Sequence, residues 1–126
     1  MNPRSLILCG ALILALGVAA GAFGAHGLKR LVAPDLLDIW RTAAHYQLIH
    51  GAGLLLVAAL WPHLATGPAA WAGGLMLAGL AVFSGSLYAL VLTDVRALGA
   101  ITPIGGLMMI LSWLALAWAA WRGPHV

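Results

Sequence analysis

The sequence predicts an all-α membrane protein: a four-transmembrane-helix up-down bundle with an amphipathic interfacial helix leading into the second span. Charge is scarce, at 7% of 126 residues against about 25% in an ordinary soluble domain. Hydrophobic residues make up 63% of the chain and mean hydropathy is +1.04. Three acids and six Lys/Arg are too few to cover a surface facing water, whereas lipid solvates an apolar one. The apolar residues also gather into four segments of spanning length, separated by short connections. The chain is therefore read as one domain, residues 1–126, whose principal partner is the lipid bilayer.

The first segment covers about 5–25, the second 45–61, the third 69–92 and the fourth 101–121. Crossing the hydrocarbon takes about 20 helical residues, so the second is barely long enough. In lipid each segment must pair its own backbone groups, which demands helix. The alternating pattern of a barrel is absent. The opening run, with Arg4 ahead of it, has some likeness to a signal peptide, but it is long for a signal core and is read as a span.

The connection before the second span explains its shortness. Pro34 suits a first helical position and Asp35 complements the positive end of the dipole. From there Leu36, Leu37, Trp40, Ala43 and Ala44 recur on one side, while Asp38, Arg41, Thr42 and His45 take another. That pattern predicts an amphipathic helix over about 34–44, lying at the interface and continuous with the second span. Ahead of the fourth span, Thr102 is expected to cap the helix and Pro103 to sit in its first turn. The scattered Lys and Arg residues fall almost evenly on the two sides, so orientation stays open. They form no patch, and no nucleic-acid partner is expected. Cys9, a lone cysteine, is read as a small buried side chain and can form no intrachain disulfide.

Small residues mark helix faces. Gly10, Gly17, Gly21 and Gly24 recur on the first helix, and Gly74, Ala78, Ala81 and Gly85 on the third. Helices bathed in lipid approach closely along such stripes. Packing within one bundle is the plainer use; a homo-oligomer seam or a larger membrane complex is the other.

Antiparallel alternation sorts the polar residues. His26, His45, Tyr46, Gln47, His50, Ser84, Ser86, Tyr88, Asp94 and Thr102 fall towards one side of the membrane, while Trp61, Trp71, Trp118 and Trp121 fall towards the other. The second set suits an interfacial aromatic belt. In the first set, Tyr46 and His50 share a helix face, as do Ser84 and Tyr88. The candidate cluster is His26, Tyr46, Gln47, His50, Ser84, Ser86, Tyr88 and Thr102. It reads either as interhelical hydrogen bonding that fixes the fold, or as a site for a lipid, a quinone-like ring, a metal or a proton. A metal is disfavoured: His45 and His50 lie about 140° apart around the helix, and no acid lies within a span. No Ser-His-acid grouping has motif support, so no catalytic residue is assigned, and the residues name no cofactor. His63 and His125 read as solvated.

Four strings occur in register: Gly21-Ala22-Phe23-Gly24-Ala25-His26-Gly27, Tyr46-Gln47 with His50, Phe83-Ser84-Gly85-Ser86-Leu87-Tyr88, and Ile101-Thr102-Pro103-Ile104-Gly105-Gly106. Together they resemble the domain-of-unknown-function 423 family, which includes YgdD-type bacterial inner-membrane proteins and the eukaryotic transmembrane protein 256. The resemblance implies a four-helix protein of the bacterial inner (cytoplasmic) membrane, with no established biochemical activity to carry over. The leading expectation is an accessory or scaffold protein acting through helix–helix contacts. The alternatives are a membrane-embedded binding site at the polar end, or an oligomeric channel or transporter; four helices without repeats or an ionisable row argue against the last.

Overall fold

A computed structural model of the chain describes residues 1–124, so His125 lies outside the described residues. Four long helices run antiparallel in sequence: α1 Pro3–Ala25, α2 Pro34–Leu60, α3 Thr66–Thr93 and α4 Thr102–Arg122. All four are long and apolar enough to cross a membrane. Short 3-10 turns, Leu28–Arg30, Trp61–His63 and Arg96–Ala100, occupy the three connections.

The first two helices start for local reasons. Asn2 and Ser5 form a reciprocal cap on α1: the Asn2 side chain accepts from the Ser5 N–H at 2.9 Å, and the Ser5 hydroxyl oxygen accepts from the Asn2 N–H at 3.1 Å. Pro34 opens α2 with Asp35 in its first turn. At 27 residues α2 is about 40 Å long, well over the ~30 Å of hydrocarbon, and its charged residues Asp35, Asp38 and Arg41 all fall in its first turns. The amphipathic face expected there is present. Leu36, Leu37, Trp40, Ala43 and Ala44 are buried, and Asp38, Arg41, Thr42 and His45 are exposed.

The helix α3 ends where Asp94 turns into the left-handed region, at φ 55°, and returns its N–H to the Leu90 carbonyl at 2.7 Å. Short polar side chains tolerate that conformation. Arg96, in the connection that follows, donates to Asp94 and to Asp35, both at 2.9 Å, and so ties this connection to the first turn of α2. The Arg96 guanidinium holds the Asp35 carboxyl below the usual carboxylate range, chiefly through that hydrogen bond, in the headgroup turn outside the apolar span. Ile101, not Thr102, occupies the N-cap of α4. The Thr102 side chain is buried against α3, and its hydroxyl is bonded to Ser86 instead.

Packing follows chain order: α1 lies on α2, α2 on α3, and α3 on α4. The two middle helices are therefore the more buried pair. Two apolar clusters fill the ends. Leu6, Leu54, Val57, Met76 and Leu116 pack near the indole-rich side, and Leu28, Leu36, Leu37, Trp40 and Leu90 near the other. The second connection is held under α4 by the Ala65 N–H, which donates to the Ala119 carbonyl at 3.0 Å.

Glycine makes the close crossings. A Cβ on Gly10 would stand 2.9 Å from the Gly51 carbonyl oxygen, and one on Gly105 would stand 2.5 Å from the Phe83 nitrogen and 2.6 Å from the Gly79 oxygen. Gly17 and Gly24 belong to the same α1 face as Gly10, and all three are buried. Gly21 is exposed, with nothing within 4 Å of a Cβ placed there. The stripe on α3 turns outward as well. Ala78, Ala81 and Gly85 are exposed and Gly74 is half-buried, while Gly73, Met76, Gly79, Leu80 and Ser84 make the inner face. The reason is geometric: α3 packs on α2 and α4 through its other side, where Gly79 meets Gly105.

Two glycines should therefore respond in opposite ways. Gly105→Ala overpacks a backbone contact and is expected to destabilise the detergent-solubilised protein by about 1–3 kcal/mol. Gly74→Ala meets open space and is expected to leave the melting temperature unchanged or slightly raised. Equal melting temperatures for the two variants in a thermal scan would contradict this packing.

Candidate functional site

Gln47 is the hinge of the polar arrangement. It lies on the α2 face directed at α1 and α3 and is 9% exposed. Its Nε2 donates to the Ile13 carbonyl of α1 at 3.0 Å, and its Oε1 accepts from the Tyr88 hydroxyl of α3 at 2.6 Å. A carbonyl can only accept, so Ile13 fixes which way the carboxamide points. One side chain therefore bridges three helices. Beside it Ser84 donates to the Ala43 carbonyl of α2 at 2.8 Å. Nearer the headgroups, Trp40 donates its indole N–H to the Ala20 carbonyl at 2.8 Å and packs on Tyr88 with ring centroids 4.5 Å apart.

These residues border an open groove. It holds about 260 Å³ and is lined by Ile13 of α1, Gln47 of α2, and Leu77, Leu80, Ala81, Ser84, Gly85 and Tyr88 of α3. Its walls are mostly apolar, and its mouth lies between α1 and α3 on the lipid-facing surface. Towards the indole-rich side Leu6 packs against Gly73 and closes the α1–α3 gap. Towards the other, Trp40 and Tyr88 close it.

His50 belongs to a different seam. Its Nε2 receives the Trp113 indole N–H of α4 at 3.1 Å, and its Nδ1 lies 2.9 Å from the Tyr46 carbonyl. An indole can only donate, so Nε2 accepts and the ring proton sits on Nδ1, donated to Tyr46. Both nitrogens are occupied. Tyr46 stacks on His50 with ring planes 8° apart and tilts onto Phe83 at 4.6 Å, but it is 38% exposed. A third seam joins α3 to α4. Ser86 donates to the Phe83 carbonyl at 2.9 Å, so the 2.6 Å bond to Thr102 is donated by Thr102.

The eight cluster residues thus divide. Gln47, Ser84 and Tyr88 meet at the groove, His50 reaches Trp113 of α4 while Tyr46 beside it lies half-exposed against Phe83 of α3, Ser86 and Thr102 pair apart from both, and His26 stands exposed at the C-cap of α1. Among the described residues every buried side-chain nitrogen and oxygen has a hydrogen-bond partner, and no three His, Cys, Asp or Glu residues gather in a metal-sized group. Cys9 is half-buried and His63 exposed. Two participants were not singled out from sequence as polar groups, Trp113 and Trp40. A signal for Trp113 exists: it lies about 16 Å along α4, far from an interfacial belt, where an indole N–H needs a partner.

A family model described as "Protein of unknown function (DUF423)" matches residues 20–106, which include all four strings quoted above. The chain belongs to the DUF423 family. Similar proteins include the UPF0382 membrane protein SH2409 of Staphylococcus haemolyticus, 46% identical across 90% of this chain and 92% of its own. Another is the UPF0382 membrane protein YwdK of Bacillus subtilis, 45% identical across 93% and 96%. A third, SAB0533 of Staphylococcus aureus, is 43% identical across 94% and 97%. No solved structure gives a significant match. This DUF423 protein is thus an integral membrane protein, like the bacterial relatives it resembles. Its groove residues lie within the matched range apart from Ile13, whereas Trp113 lies outside it.

The imidazole assignment can be checked directly. In ¹⁵N-histidine NMR of the protein in bilayers, His50 is expected as the Nδ1–H form; an Nε2–H form in the unaltered protein would refute the Trp113 bond. Trp113→Phe removes the donor and is expected to cost about 1–2 kcal/mol of stability.

Proposed function

We propose that this DUF423 protein is a membrane-embedded binding protein whose α1–α3 groove receives part of an uncharged amphiphile from the lipid. One observation carries the reading: a polar floor of Gln47, Ser84 and Tyr88 lies within an otherwise apolar groove that opens sideways to lipid. Apolar walls with a few converging polar groups are the usual form of a small-molecule site. At about 260 Å³ the groove is slightly below the usual range of about 300–1,000 Å³, which suits a small head or a stretch of chain rather than a whole ligand. No Asp, Glu, Lys or Arg lines it, and a charged head at this depth would be costly. Proton relay through His50 is the weaker use of the cluster, because both its ring nitrogens are already bonded.

A second reading has its own support. The outward stripe of Gly74, Ala78, Ala81 and Gly85 favours an accessory or scaffold role, in which a helix of a partner or a second copy packs along α3. The two readings separate at single residues. Ala81→Leu fills the groove, whereas Ala78→Leu, outside its lining, roughens only the stripe. Capture of a photoactivatable amphiphile in nanodiscs is expected to fall several-fold with Ala81→Leu and to stay unchanged with Ala78→Leu. If Ala78→Leu instead abolishes co-purification of a partner or cross-linking between copies, while amphiphile capture never localises to the groove, the scaffold reading replaces this one.

A further inference from the structure

The groove's floor can be read for its hydrogens. Three side chains supply its polar atoms, and each has a known inventory: a serine or tyrosine hydroxyl carries one hydrogen, and a carboxamide carries two on nitrogen plus two lone pairs on oxygen. The Ser84 hydrogen is committed to the Ala43 carbonyl. The Tyr88 hydrogen is committed to Gln47 Oε1. One Gln47 hydrogen is committed to the Ile13 carbonyl. A single N–H remains. On the acceptor side, Ser84 Oγ, Tyr88 Oη and Gln47 Oε1 all keep unused lone-pair capacity. The floor is therefore rich in acceptors and poor in donors, and two fixed backbone carbonyls make it so.

We infer that the groove selects an uncharged hydroxyl-headed amphiphile, a lipid alcohol, over an otherwise identical carbonyl-headed one. This rests on the groove being a binding site, as proposed above. A hydroxyl donates to one of the three acceptor oxygens and accepts from the remaining Gln47 N–H. A ketone, ester or quinone carbonyl has no hydrogen to give, so it pairs with that one N–H and leaves the oxygens unused. The depth agrees. Ser84 and Tyr88 lie about 7 and 13 Å from the midpoint of α3, below the headgroups, where a neutral head can rest and an ionic one is costly. The lipid-facing mouth supplies the route for the chain.

The test uses the unaltered full chain in phosphatidylcholine nanodiscs, so that no variant has to fold. A hexadecan-2-ol carrying a diazirine in its chain is photocrosslinked, the modified residues are located by peptide mass spectrometry, and unlabelled hexadecan-2-ol or hexadecan-2-one competes. The two competitors share a skeleton and differ only in the donor hydrogen and the oxidation level of one carbon. The expected result is adducts on α1 around Ile13 and on α3 from Leu77 to Tyr88, with the alcohol competing at about five- to tenfold lower mole fraction than the ketone, the range one hydrogen bond supplies. Groove adducts competed equally by both probes, or better by the ketone, would overturn the hydroxyl preference and leave the binding reading standing. Adducts spread over the lipid faces of all four helices and competed by neither would overturn both.

Discussion

Two helices in hydrocarbon can touch backbones only where a side chain is missing, and in this chain that constraint governs the fold. The helix α1 buries Gly10, Gly17 and Gly24, spaced by seven, and α2 answers each in antiparallel order. Gly10 faces Gly51 and Leu55, Gly17 faces Gln47 and Leu48, and Gly24 faces Trp40. The polar bonds depend on this closeness. The Gln47 amide can reach the Ile13 carbonyl because no Cβ stands at residue 17 to crowd its Cγ at 3.3 Å. The Trp40 indole can reach the Ala20 carbonyl because Gly24 leaves room for its ring. Glycine here does not add attraction; it removes obstruction, so that dispersion and side-chain-to-backbone bonds can act without competition from water.

The same rule explains where the molecule stays open. Gly79 and Gly105 seal α3 onto α4, and Gly51 lets α2 meet α1. Between α1 and α3 the contact at Gly73 admits only the Leu6 side chain, near one membrane surface. Further along, α2 lies between the two helices and links them through Gln47 and through Trp40, which bonds to Ala20 and packs on Tyr88. The groove is what remains of that separation. Its polar floor is thus a by-product of the bonds that hold three helices together, which is why a site there can be preorganised without unpaired buried groups.

How legible this was depends on the element. The amphipathic start of α2 could be read outright, because Asp38, Arg41 and His45 mark one face against Leu36, Leu37 and Trp40. Depth could be read too: counting along the helices placed Gln47, His50, Ser84 and Tyr88 towards one side of the membrane. Azimuth could not. A helix apolar all round carries no contrast to say which face is inside. Gly21 and Gly17 look equivalent in sequence, yet only Gly17 meets a neighbour. On α3, Gly74, Ala78, Ala81 and Gly85 form as good a stripe as the inner residues, and the choice between them is made by Gly105 on another helix. His26 was grouped with the polar residues by height alone, and it ends exposed because the C-cap of α1 turns it outward. Trp113 escaped notice because tryptophan in a membrane helix suggests an interface, whereas this one spans the gap from α4 to His50.

That last contact also decides which polar group is free to act. By chemical reputation the buried histidine is the obvious candidate for function and the glutamine the obvious structural bond. The hydrogen inventory reverses this. An indole, which can only donate, holds His50 Nε2 as an acceptor, and the Tyr46 carbonyl takes its remaining proton, so the ring offers nothing further without breaking the α2–α4 link. Gln47 makes two bonds and keeps a donor and a lone pair, because a carboxamide has four places to bond. In a membrane interior, where each unpaired group is penalised and each paired one is committed, residual capacity of this kind separates a site from a strut. In this protein it lies at the floor of the one groove that Gln47, Ser84 and Tyr88 share, not at the histidine.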